Sequence, residues 1–67
     1  MTLRGGEYME KLKARRKALN LTQAKLAARV GTTQNTIWRI EKGRLRPSLE
    51  LLKKISIELN CTIDSLL

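Results

Sequence analysis

LTQAKLAARVGTTQNTIWRIEKG, the run from Leu21 to Gly43, carries two short helical patterns separated by one glycine. Leu26, Ala27 and Val30 recur at helical spacing in the first half; Ile37, Ile40 and Glu41 do so in the second. Residues three and four apart share one face of a helix, so each half presents an inward stripe. Gly31 falls where the first helix must stop, and a glycine accepts positive φ without a Cβ clash. Thr22 and Thr33 precede the two patterns, and a hydroxyl at such a position accepts a bond from an otherwise unpaired helix N–H. Ala27 is small enough to let two helices cross closely.

Composition bounds the rest. Sixty-seven residues make one small domain, near the lower size at which a chain folds without disulfide or metal staples. One Trp, one Tyr and no Phe leave an aliphatic core. Fourteen basic residues against six acidic give a net charge of +8, which supplies solubility and also attraction to a polyanion. Cys61 is the single cysteine and there is no histidine, so neither an internal disulfide nor a zinc site is expected. Cys61 itself reads as a small core residue. No acid–base pair or activated nucleophile stands out, so no enzyme and no cofactor are expected. No apolar run nears the ~20 residues of a membrane span, and the N-terminus lacks a signal-like apolar stretch. A cytoplasmic protein is the expectation.

Outward from the central stretch, residues 1–6 have no periodicity and read as a flexible N-terminal arm; residues 7–67 form the domain. Glu7 to Leu19 is read as helix 1, with Tyr8, Leu12, Arg16 and Leu19 on one face. Its acids come first and its bases later, as the helix dipole favours. Arg16 on an inward stripe needs a partner. Helix 2 is read over Thr22–Val30 and helix 3 over Gln34–Lys42. The outer face of helix 3 carries Gln34, Asn35, Trp38 and Arg39. A basic loop, Gly43 to Pro47, leads to Ser48 as the cap of helix 4, read over Leu49–Leu59. Its inner stripe is Leu49, Leu52, Ile55, Ser56 and Leu59, with Leu51 and Ile57 off it. Asn60 ends that helix, and Thr62 caps a last short helix, Ile63–Leu66. The fold class is thus all-α, a compact five-helix domain.

Gln23, Leu26, Ala27, Val30, Gly31, Ile37 and Ile40 fall in a pattern similar to the helix-turn-helix of the lambdoid phage repressor and Cro family. Glu41-Lys42-Gly43, Pro47-Ser48-Leu49 and the C-terminal Ile63-Asp64-Ser65-Leu66 also resemble it, so the similarity runs from about Lys11 to Leu66. Two positions depart from the family pattern. Lys25 stands where an acid often completes a capping box, and Thr32 stands where an apolar residue is common.

The resemblance implies a regulator of transcription, in the sense of a repressor, that binds double-stranded DNA with helix 3 in the major groove. Gln34 and Asn35 would read base edges, since their amides pair with adenine, and Arg39 would reach a base or a phosphate. Gln23, at the start of helix 2, would meet the backbone and bond to Gln34, as the equivalent glutamine does in relatives. Thr33, Thr36, Lys42, Arg44, Arg46 and Arg15 would meet backbone phosphates or, for the threonines, a thymine methyl. The family also implies that Arg16 pairs with Glu41. Trp38 has two available uses: packing on a sugar or methyl group, or lying against the loop before helix 4. A weak homodimer on a palindromic site is implied, through Arg46, Pro47, Ile63, Asp64 and Leu67. Antitoxins, bridging coactivators and restriction–modification controllers resemble the same pattern, and co-purification of a small partner protein would favour the first of these.

Overall fold

The computed structural model describes Met9–Leu67. Tyr8, Glu7 and the arm expected over residues 1–6 lie outside the described residues. Four α-helices follow in order: α1 (Glu10–Ala18), α2 (Gln23–Val30), α3 (Gln34–Glu41) and α4 (Leu49–Glu58). The fifth element, expected as a short α-helix, is a 3₁₀ turn over Asp64–Leu66. Thr62 Oγ1 accepts from Ser65 N at 3.2 Å, although the residue that immediately precedes the turn is Ile63, not Thr62. The element is three residues long, and such single tight turns are where 3₁₀ geometry is used.

Side-chain caps set three of the starts. Thr22 Oγ1 accepts from Lys25 N at 3.0 Å, Thr33 Oγ1 from Thr36 N at 3.2 Å, and Ser48 Oγ from Leu51 N at 3.1 Å. Each satisfies one of the N–H groups a helix leaves unpaired. Gly31 closes α2 at φ +76°, and both its own N–H and that of Thr32 turn back to Ala27 O. Asn20 and Asn60 adopt positive φ after α1 and α4, a conformation asparagine tolerates better than most residues.

α2 packs chiefly against α3 and then against α4, while α1 lies on the closing turn and on α3. Leu12, Leu26, Ile37, Ile40, Ile55, Leu59 and Leu66 are the large side chains shut fully inside. Ala27, on α2, is buried in the core. Several stripe assignments shift. Leu19 is exposed because α1 stops at Ala18, and the left-handed Asn20 swings Leu21 into the core instead. Leu49 is 62% exposed. It opens α4 about 80° from the centre of the buried stripe, at the end of the helix, where little lies above it. Ile57 is 75% exposed, whereas Leu51 packs partly against the core. Leu45, within the basic loop, also turns inward. Cys61 is half-buried and packs against the edge of the core. No described helix is long and apolar enough to cross a membrane.

Candidate nucleic-acid interface

α3 divides cleanly. Ile37, Ile40 and Glu41 are buried, while Gln34, Asn35, Trp38 and Arg39 are exposed. At 100° per residue, Asn35 and Arg39 lie opposite the buried stripe; Gln34 and Trp38 flank them on the side of Glu41. Thr33 and Thr36 sit at the N-terminal end, their hydroxyls 2.9 Å apart.

A buried polar network fixes this helix against its neighbours. Arg16 Nε donates to Glu41 Oε2 at 2.7 Å and Nη2 to Oε1 at 3.0 Å, a bidentate pair joining α1 to α3. Arg16 Nη1 donates to Leu21 O at 2.8 Å, tying in the segment before α2. The side chains of Arg16 and Glu41 are 7% and 2% exposed. Removing a charge pair this deep from water is costly unless every donor and acceptor is matched. Among the described residues no buried side-chain nitrogen or oxygen lacks a partner. Glu41 carries one more bond than the sequence reading allowed for. Gln23 Nε2 donates to its Oε1 at 3.0 Å, so the partner of Gln23 here is Glu41, not Gln34. Met9 N donates to Glu41 O at 3.1 Å, closing the far end of α3. The start of α2, the end of α3 and the last turn of α1 are thereby held in one register.

The loop after α3 folds back on the helix. Gly43 takes φ +72°, and the N–H groups of Arg44 and Leu45 both reach Arg39 O, at 2.8 and 3.3 Å. That reversal puts the Arg44 guanidinium over the Trp38 ring, 5.2 Å from its centroid. Trp38 thus does lie against the loop before α4, one of its two anticipated uses. Beside it, a cleft of about 240 Å³ is lined by Glu10, Lys13, Gln23, Trp38, Glu41 and Lys42. Arg39, Arg44 and Arg46 are exposed and Lys42 is half-buried.

Charge is one-sided along this surface. From Leu21 to Leu49 the chain has six basic residues, Lys25, Arg29, Arg39, Lys42, Arg44 and Arg46, and one acid, Glu41. Since Glu41 is buried and paired, α2, α3 and the following loop offer no exposed carboxylate to repel an anion.

Arg15 is placed elsewhere. Its Nε donates to Leu59 O at 2.8 Å and its Nη2 to Asn60 O at 3.2 Å. It closes the C-terminus of α4, where carbonyls lack helical partners. Lys13, one of the bases of helix 1 to which the sequence reading gave no role, lies on the opposite flank of α1 and faces Trp38 and Gln23 across the cleft. Its helical phase against Arg16 is the signal that would have found it. Of the residues expected at a dimer contact, Arg46, Asp64 and Leu67 are exposed, and Pro47 and Ile63 are half-buried.

A helix-turn-helix family model matches residues 12–66. The chain is 51% identical over 45 residues to an HTH-type transcriptional regulator of Methanothermobacter thermautotrophicus, covering 67% of this chain and 65% of that one. It is 39% identical over 57 residues to the cryptic phage CTXphi transcriptional repressor of Vibrio cholerae, covering 85% and 51%. The chain thus spans about half to two thirds of the length of these two relatives. Among solved structures, the restriction-modification controller protein C.AhdI from Aeromonas hydrophila superposes with a TM-score of 0.83 at 25% identity, over 88% of this chain and 89% of that one. A match from Leu12 to Leu66, lying on the capped α2–Gly31–α3 unit described above, settles the relationship: the chain belongs to the helix-turn-helix family.

Proposed function

We propose that this protein is a sequence-specific regulator of transcription that inserts α3 into the major groove of double-stranded DNA. One observation carries the reading: α3 turns Gln34, Asn35 and Arg39 outward while its opposite side is locked by Ile37, Ile40 and the Arg16–Glu41 pair. A helix presented this way offers amides and a guanidinium to base edges from a rigid support. Gln34 and Asn35 are assigned to bases and Arg39 to a base or a phosphate. Gln23, Thr33, Thr36, Lys42, Arg44 and Arg46 are assigned to the backbone. Arg15 is left out of this set, because two of its donors are used on α4.

The likeness to a phage repressor favours repression as the sense of regulation, and the likeness to a restriction-modification controller offers that setting as the alternative. Two copies on a palindromic operator are part of the proposal, as is a cytoplasmic location alongside the DNA. Selection of bound duplexes from a random pool, followed by gel shift on the enriched sequence, tests the reading. A consensus of related half-sites is the expected result; a pool unchanged after repeated rounds would sink it.

A further inference from the structure

Trp38 is the sole tryptophan of the chain, and it stands 37% exposed beside the residues assigned to bases. An aromatic ring of this size is usually covered unless it contacts something. What covers one face here is Arg44, whose Cζ lies 5.2 Å from the ring centroid. The backbone brings the two residues within reach of each other. Gly43 reverses the chain at φ +72°, and Arg44 N is held on Arg39 O at 2.8 Å, directly after Trp38 in sequence. A guanidinium lying on a ring keeps its N–H fork in its own plane, so the edge stays open to a phosphate. Trp38 also walls the cleft lined by Lys13, Gln23 and Lys42 together with the carboxylates of Glu10 and the paired Glu41, which brings two lysines, an amide and Arg44 to one edge of α3.

We propose that Trp38 is a positioning residue for DNA binding, holding the Arg44 guanidinium ready at the edge of α3 for a backbone phosphate beside Gln23. The inference rests on the DNA-binding reading above. A long side chain immobilised before binding loses less freedom on contact, so the benefit is paid in affinity rather than in base choice.

The test measures affinity for the selected duplex across a salt series in Trp38→Leu, Trp38→Phe, Arg44→Ala and the double variant Trp38→Leu/Arg44→Ala. Trp38→Leu should bind about 2–5-fold more weakly and with a shallower salt dependence, shifted toward that of Arg44→Ala, which should lose about one phosphate contact. The double variant should bind no more weakly than Arg44→Ala, Trp38→Phe should recover part of the loss, and the selected consensus should not change. A purely structural tryptophan would leave the salt slope alone. An unchanged slope in Trp38→Leu, or losses that add fully in the double variant, would overturn the inference while the parent still bound DNA. A parent that binds no duplex overturns the DNA reading itself and this inference with it.

Discussion

Gly31 and Arg16 test the fold at the scale of single residues, through different physics. An added Cβ at Gly31 would meet no heavy atom within 4 Å beyond its own neighbours along the chain. The only obstacle to a side chain there is φ +76°, in the region that places Cβ against the following carbonyl. Gly31→Ala should therefore cost about 1–2 kcal/mol in urea unfolding. Gly31→Asn should cost less, because Asn20 and Asn60 already sit at φ 57° and 52° in this same chain. An alanine variant as stable as the parent would mean that the α2–α3 turn relaxes freely. Arg16 is the reverse case, where surroundings decide and backbone does not. Arg16→Met would strand the Glu41 carboxylate with Gln23 as its remaining side-chain donor in this network. An unpaired buried charge of this kind costs about 3–5 kcal/mol. Adding Glu41→Leu should return much of that loss, though Leu21 O and Gln23 Nε2 would still need new partners. Single variants that melt with the parent would show that water already reaches the pair.

At the scale of elements, α3 should separate reading from holding. Gln34→Ala or Asn35→Ala should cost about 1–3 kcal/mol on the selected site and flatten base preference at one position. Arg44→Ala, outside the helix, should weaken all duplexes alike. Competition gel shifts against single-base variants of the site distinguish the two, and uniform losses from both kinds of change would remove α3 as the reading element. The elements themselves were largely legible before any coordinates. Thr22, Thr33 and Ser48 marked the starts of α2, α3 and α4 because capping is a local, side-chain-to-backbone event. Gly31 and Asn60 marked stops because both residue types accept positive φ. What periodicity could not give was anything set by a non-neighbour. Leu49 has the spacing of a core residue but stands at a helix end with little above it. Arg15 was expected at a phosphate, and no local pattern showed that two of its donors go to the carbonyls of Leu59 and Asn60, more than forty residues away. Gln23 found Glu41 instead of Gln34 because α1 had already brought Arg16 to the same carboxylate. The Trp38–Arg44 contact depends on a chain reversal at Gly43 that spacing alone does not specify.

At the scale of the whole molecule, charge and size together predict how many copies bind. Lys42, Arg44 and Arg46 are the basic backbone contacts assigned to each chain, and each phosphate neutralised contributes about 0.9 to the slope of log affinity against log salt. One copy should then lose roughly 40-fold in affinity between 50 and 200 mM salt, and two copies roughly 1,800-fold. A flat response would count against any phosphate contact. Two copies are expected because a single eight-residue α3 spans only a few base pairs, while a two-fold pair would set its helices about 34 Å apart, one turn of DNA. The surface for such a pair is modest. Leu67 is 46% exposed, Arg46 and Asp64 are exposed, and Pro47 and Ile63 are half-buried. Ile57, well out in solvent, can add apolar area, but Leu51 is already committed to the core. A patch this small falls short of the roughly 1,200–2,000 Å² of a stable interface, so the chain should be monomeric in dilute solution and pair on a palindromic duplex. Sedimentation with and without that duplex measures this directly. Leu67→Lys is the cleaner probe, since Ile63 packs against the core and Ile63→Lys can act through folding. Leu67→Lys should leave the free monomer intact and weaken the second binding step. Unchanged two-to-one binding in both variants would exclude this surface, and one-to-one binding by the parent, with the shallower salt slope, would exclude the pair.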